Sequence, residues 1–140
     1  MNDYKKTEAL LYNYIFLKKS IETDKLKLEE LNLESFDVNA SKYDTVKVDS
    51  STISDITAQN AINHIIKKEY LARKIRKNTF QKKQIDIAME ALNDTERTII
   101  KEKYFRLLRD YEVYDNLCLS RSNYYRIKKQ AVKKVSRLIS

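Results

Sequence analysis

The residues best suited to chemistry lie near the C-terminus. Arg121, Arg126, Lys128, Lys129, Lys133, Lys134 and Arg137 fall within the last 25 residues, which contain no acidic side chain, and Tyr124 and Tyr125 lie among them. Cationic groups interleaved with aromatics along one helix are the footprint of a polyanion-binding surface. A solvated basic helix is the plainer alternative. A membrane-surface helix fits less well, because the run has no Trp or Phe anchor. A second basic block, Lys67–Lys83, carries eight basic side chains and one acidic. It is either a second contact for the same polyanion or a solvated helix face.

Other chemistries are poorly supplied. His64 is the only histidine and Cys118 the only cysteine, so a disulfide framework and a Cys/His zinc site are excluded. A Ser-His or Cys-His nucleophile pair would have to use His64. His64 stands beside Ile65 and Ile66 and reads as a structural or solvated side chain. Cys118, between Leu117 and Leu119, reads as a small buried thiol, and a single thiol fits a reducing cytoplasm. Asp110, Glu112 and Asp115 show no acid–base pairing and read as flanks of a solvated turn. The expectation is a protein that is not an enzyme and needs no cofactor or metal.

The 140 residues include no Gly and no Pro, with 42% hydrophobic and 34% charged residues and a net charge of +8. A glycine-rich phosphate loop cannot form, which removes P-loop and dinucleotide-binding folds. Tight hairpin turns are equally short of their usual residues. A chain without breakers, rich in Lys, Leu, Ile and Glu, is expected to be all-α. It shows no apolar leader and no 18-residue apolar run, so a cytoplasmic protein without a membrane partner is expected.

Four segments follow from periodicity. Residues 1–34 form a long helix whose Leu10, Tyr14, Leu17, Ile21, Leu28 and Leu31 make a coiled-coil seam, broken by Asp24. That seam can join two copies in a dimer or pack on the chain's own helices. Residues 35–54 are turn-rich and read as a loop, with a brief strand over Lys42–Val48. Residues 55–91 are a helical middle segment, starting near Ser54 or Asp55. Ile62, Ile65, Ile66, Leu71 and Ile75 give it apolar faces, and it either breaks or continues at Asn78-Thr79. Its end carries the stripe Ile85, Ala88, Met89, Leu92.

Residues 92–140 have helix-turn-helix grammar. Asn93 and Glu96 form a capping box, and Ile99, Ile100 and Tyr104 face inward. After a turn at Arg106–Arg109, a two-turn helix spans Tyr111–Leu117 with Val113 and Leu117 inward. Cys118-Leu119 make a turn that usually holds Gly, with Asn116 the residue best suited to a left-handed conformation. Ser120 caps a final helix running from Arg121 to about Ile139, with Tyr124, Ile127, Ala131, Val135 and Leu138 inward.

The stretch Leu92–Leu138 resembles the fourth conserved region of bacterial sigma factors. The residues that carry this are Leu92, Glu96-Arg97, Ile99-Ile100 and Tyr104, then Val113, Leu117, Ser120-Arg121-Ser122, Tyr124-Tyr125-Arg126, Ala131 and Leu138. The pattern Ser-x-Ser-x-Tyr-Tyr-Arg-x-Lys-x-x-Ala is similar to that of the ArpU/RinA group of phage late-gene transcriptional regulators. The Leu-rich opening helix, the loop and the segment Ile85-Asp86-Ile87-Ala88 through Leu92 agree with that group. The resemblance implies a DNA-binding activator of phage morphogenesis or packaging genes, with RNA polymerase as a second partner.

In a helix-turn-helix the first helix braces the backbone and the second enters the major groove. Tyr111–Leu117 is then the brace and Arg121–Lys133 the reader. Its outward residues are Arg121, Ser122, Asn123, Tyr125, Arg126 and Lys129. Arg121 or Arg126 can pair with guanine, Asn123 with adenine, and Tyr125 can touch a thymine methyl or a phosphate. Lys129, Lys133 and Lys134 are expected at phosphates. A dimer would read two half-sites of double-stranded DNA. Two other readings stay open: a phage small-terminase-like packaging protein, and a helical adaptor that binds an acidic protein surface.

Overall fold

The computed structural model describes residues 2–41 and 50–140, with side chains for residues 2–34 and 55–140. The described residues are all-α, as expected, and contain no strand. Helices α1 (Asp3–Tyr12), α2 (Tyr14–Ser41), α3 (Ser50–Glu90) and α4 (Asp94–Ile100) come first. A π-helical turn (Lys101–Phe105) continues α4, and α5 (Asp110–Asn116) and α6 (Arg121–Ile139) complete the order.

Several boundaries differ from the sequence reading. The first helix is divided at Asn13, although the hydrogen-bond ladder continues across it, from Asn13 N–H to the Ala9 carbonyl at 3.1 Å and from Leu17 N–H to the Asn13 carbonyl at 2.8 Å. The stretch 35–54 is not all loop: α2 runs on to Ser41 and α3 begins at Ser50. α3 also continues unbroken through Asn78-Thr79. Asn, Ser and Thr disfavour a helix only mildly, and without Gly or Pro nothing strong enough stops it. The strand expected over Lys42–Val48 lies outside the described residues.

The chain forms two compact units, Ser20–Asn78 and Met1–Lys19 with Thr79–Ser140. In the first, α2 and α3 run antiparallel. The buried Asp24 carboxylate lies 3.4 Å from the Lys74 ammonium, and His64 Nε2 donates to the Leu31 carbonyl at 2.7 Å. The seam from Ile21 to Leu31 is therefore occupied by the chain's own α3, and its polar break at Asp24 is filled by an ion pair. Leu71 is buried, and Ile75 half-buried, on the α3 side. Ile62, Ile65 and Ile66 are not: they are 51%, 56% and 57% exposed.

In the second unit α1 packs with the C-terminal helices. The domain division expected from the sequence, with 1–34 apart from 92–140, does not describe this packing. Leu11 joins Ile85, Met89, Ile100, Tyr104, Val132 and Val135 in one core cluster. The fully buried Tyr104 donates its hydroxyl to Glu8 at 2.7 Å and meets Tyr12 edge-on, with ring centroids 4.7 Å apart. Each buried Leu, Ile or Val contributes about 1.5–3 kcal/mol, against about 1 kcal/mol for a helix cap. Packing therefore decides that these helices form, and caps decide where they begin.

The capping box is present. Asn93 Oδ1 accepts from the Glu96 N–H at 2.8 Å, and Glu96 Oε1 accepts from the Asn93 N–H at 3.3 Å. Glu96 Oε1 also receives the Lys134 ammonium at 2.8 Å, which ties α4 to α6. Arg97 closes the preceding turn by donating to the carbonyls of Met89 at 3.1 Å and Leu92 at 2.7 Å. The Met89 carbonyl also accepts from the Leu92 N–H at 3.2 Å, so Arg97 adds a second donor there and ties the end of α3 to the turn that follows.

Candidate nucleic-acid interface

The basic helix α6 is positioned by a turn built without glycine. α5 ends in a Schellman motif: the Leu119 N–H bonds to the Tyr114 carbonyl at 2.9 Å and the Cys118 N–H to the Asp115 carbonyl at 3.2 Å. Cys118 takes the left-handed position, with φ 54°, not Asn116 as the sequence reading had it. That conformation costs a non-glycine residue about 1–2 kcal/mol. The Cys118 side chain is exposed, so the expected buried thiol is corrected. Leu107, with φ 59°, serves the turn before α5 in the same way. Directly after the Schellman motif, the Ser120 hydroxyl accepts from the Asn123 N–H at 3.2 Å and starts α6.

Beneath the turn, Ile99, Val113 and Tyr124 are fully buried, with Leu117, Leu119 and Ile127 packed around them. α6 thus presents Tyr124, Ala131, Val132 and Val135 inward. Val132 was not expected there, and Leu138, expected inward, is 52% exposed.

Asp110 organises the underside of the site and is not a solvated flank. Its carboxylate accepts from the Tyr124 hydroxyl at 2.5 Å and lies 3.4 Å from the Lys128 ammonium and 3.5 Å from that of Lys103. Burial alone would raise this carboxyl. The Tyr124 hydrogen bond and the two ammonium groups outweigh it and hold Asp110 below the usual carboxylate range. Burial and the same carboxylate push the Tyr124 hydroxyl well up. A carboxyl lowered in the folded state stabilises the fold above its unfolded pKa, about 4, and that contribution is lost as pH falls through the folded value. Thermal unfolding followed by circular dichroism from pH 5 to pH 2 is expected to show a falling midpoint. Asp110→Asn should start less stable and lose part of that slope. An unchanged slope would remove Asp110 from the account.

The seven residues expected to contact a polyanion, Arg121, Ser122, Asn123, Tyr125, Arg126, Lys129 and Lys133, are all exposed. Ser122, Arg126, Lys129 and Lys133 follow one another at steps of four, three and four, so they form a single stripe opposite the buried face. Among the described residues, Arg126, Lys129 and Lys133 make no ion pair. Lys128 and Lys134 behave otherwise: Lys128 is held by Asp110 and lies over the Tyr124 and Tyr125 rings, and Lys134 is held by Glu96 rather than left free for a phosphate. Tyr125 is 39% exposed, beneath the Arg121 guanidinium at 5.8 Å, with its hydroxyl 3.5 Å from Asp110. The structure also leaves Arg106 and Arg109 exposed in the turn before α5. The sequence reading assigned them only to a turn, although they add two exposed cations close to α5.

No curated protein and no solved structure matches this chain. A family model matches residues 37–136 under the description Protein of unknown function (DUF1492).

Proposed function

The chain belongs to the DUF1492 family, whose description assigns no activity, and we propose that it is a sequence-specific, double-stranded-DNA-binding transcriptional regulator. The observation that carries the reading is the exposed stripe Ser122, Arg126, Lys129 and Lys133, without an ion pair among the described residues, on a helix that leaves a tight, capped turn. α5 braces the phosphate backbone and α6 enters the major groove. Arg121 or Arg126 reads guanine through a bidentate fork, Asn123 reads adenine, and Tyr125 meets a thymine methyl or a phosphate. Lys129 and Lys133 contact phosphates and fix the helix in register. The likeness to ArpU/RinA-type regulators supports late or packaging genes of a phage as the target and RNA polymerase as a partner. Among the described residues no helix is long and apolar enough to cross a membrane.

The test is binding of the purified chain to phage late-region promoter DNA against shuffled DNA, over a salt series. Preferential binding that survives about 0.15–0.2 M salt, with a slope of several phosphates, is the expected result. Equal, weak binding to both DNAs that vanishes with salt would overturn it.

A further inference from the structure

We infer that α3 carries a homodimer interface, in which the exposed face centred on Ile66 pairs antiparallel with the same face of a second copy. α3 meets α2 through His64, Leu71 and Lys74. Ile62 and Ile66 lie away from that contact and Tyr70 at its rim, beside Lys67 and Leu71; the three follow at i, i+4 and i+8, and are 51%, 57% and 61% exposed. Three large apolar side chains at helical spacing make a continuous stripe that water covers at a cost. Among the described residues, packing against α2 covers Leu71 and reaches only the edge of the stripe at Tyr70, and it leaves Ile62 and Ile66 exposed.

Charge selects the occupant. The stripe continues N-terminally through Gln59 and Asp55 and C-terminally through Arg73 and Lys77, and all seven residues fall within an arc of about 80° at 100° per residue. All are exposed, and among the described residues neither Asp55, Arg73 nor Lys77 makes an ion pair. With a two-fold axis at Ile66, Ile66 meets its own copy and Ile62 meets Tyr70. Gln59 then meets Arg73, and Asp55 meets Lys77. Both ends are satisfied together, as an isologous interface requires. A parallel pair would set Asp55 on Asp55 and Lys77 on Lys77, which like-charge repulsion disfavours. The chain's own face is thus the complement that this face needs. Of the seam Leu10–Leu31, which the sequence offers for dimerisation, the stretch Ile21–Leu31 is already filled within one chain. Only the consequence, two α6 helices in one particle for two half-sites, rests on the DNA-binding reading; the interface does not.

Sedimentation of the full chain without DNA tests it. The expected mass is that of a dimer, and Ile66→Asp should give a monomer with unchanged helical circular dichroism, since Ile66 is exposed in the single chain. Asp55→Lys and Lys77→Asp should each weaken the dimer several-fold, and the double swap should restore it to within about twofold. In a Cys118→Ser background, Ile66→Cys should form an intermolecular disulfide readily, whereas Tyr70→Cys, which faces Ile62, should not. A native chain that stays monomeric at every concentration, a dimer indifferent to Ile66→Asp, a double swap that fails to restore, or a larger ring would each overturn the inference. A monomer that still prefers promoter DNA would overturn the interface alone; a dimer without that preference would overturn the DNA-binding reading alone.

Discussion

Tyr124→Ala is expected to destabilise the C-terminal helices by about 3–5 kcal/mol, the range for removing a large aromatic from a well-packed core. Tyr124 is fully buried, with Ile99 and Val113 as its buried neighbours. Its ring is also 5.5 Å, centroid to centroid, from that of Tyr114. The substitution removes the wedge between α5 and α6 and leaves the Asp110 carboxylate without its shortest partner. Tyr124→Phe separates the two effects: it keeps the packing, removes only the hydroxyl, and should cost about 1–2 kcal/mol. Urea unfolding followed by circular dichroism measures both. A loss below 1 kcal/mol for the alanine variant would mean that α5 and α6 are held by other contacts. DNA binding should fall with Tyr124→Ala in proportion to the unfolded fraction, and hardly at all with Tyr124→Phe.

Arg126→Ala is expected to lower affinity for the preferred promoter sequence by about 5- to 150-fold, corresponding to about 1–3 kcal/mol for a bidentate base contact. Affinity for shuffled DNA should fall much less, so the preference between the two narrows. The unfolding midpoint should stay within about 0.5 kcal/mol of the native protein, because Arg126 is exposed and makes no ion pair among the described residues. Lys129→Ala provides the contrast. It should weaken binding to both DNAs alike and reduce the salt slope by about one. Fluorescence anisotropy with both DNAs at two salt concentrations separates the patterns. If Arg126→Ala behaves like Lys129→Ala, Arg126 contacts a phosphate and base reading falls to Arg121 or Asn123.

The parts of this protein that were legible in its sequence are those fixed within one helical turn. Ser120 capping Asn123, and Asn93 paired with Glu96, are contacts three residues apart, and each marks a helix start that the structure shares. The stripe Tyr124, Ala131 and Val135 was legible for a similar reason, since helical spacing alone places these residues on one face. The absence of Gly and Pro foretold an all-α chain. It did not foretell that Leu107 and Cys118 would carry the positive-φ positions that turns still require.

What spacing does not contain is the identity of the surface opposite. Leu10, Tyr14, Leu17, Ile21, Leu28 and Leu31 read as a seam, but only folding placed α3 against its Ile21–Leu31 stretch and set Lys74 beside Asp24. Ile62 and Ile66 looked as apolar as Leu71, yet only Leu71 is buried against α2. Asp110 and Tyr124 stand 14 residues apart, a separation with no local signature, and their hydrogen bond exists because α5 folds back onto α6. Lys134 was grouped in sequence with Lys129 and Lys133 at phosphates, until folding set the Glu96 carboxylate beside it, as it set Asp110 beside Lys128. The sequence by itself thus determined the helical class, the caps and the existence of a basic C-terminal helix, because those follow from one residue and its near neighbours along the chain. The tertiary structure decided which seam closes internally, which cations stay free and which apolar face remains open, because burial and pairing depend on residues far apart in the chain that only packing brings together.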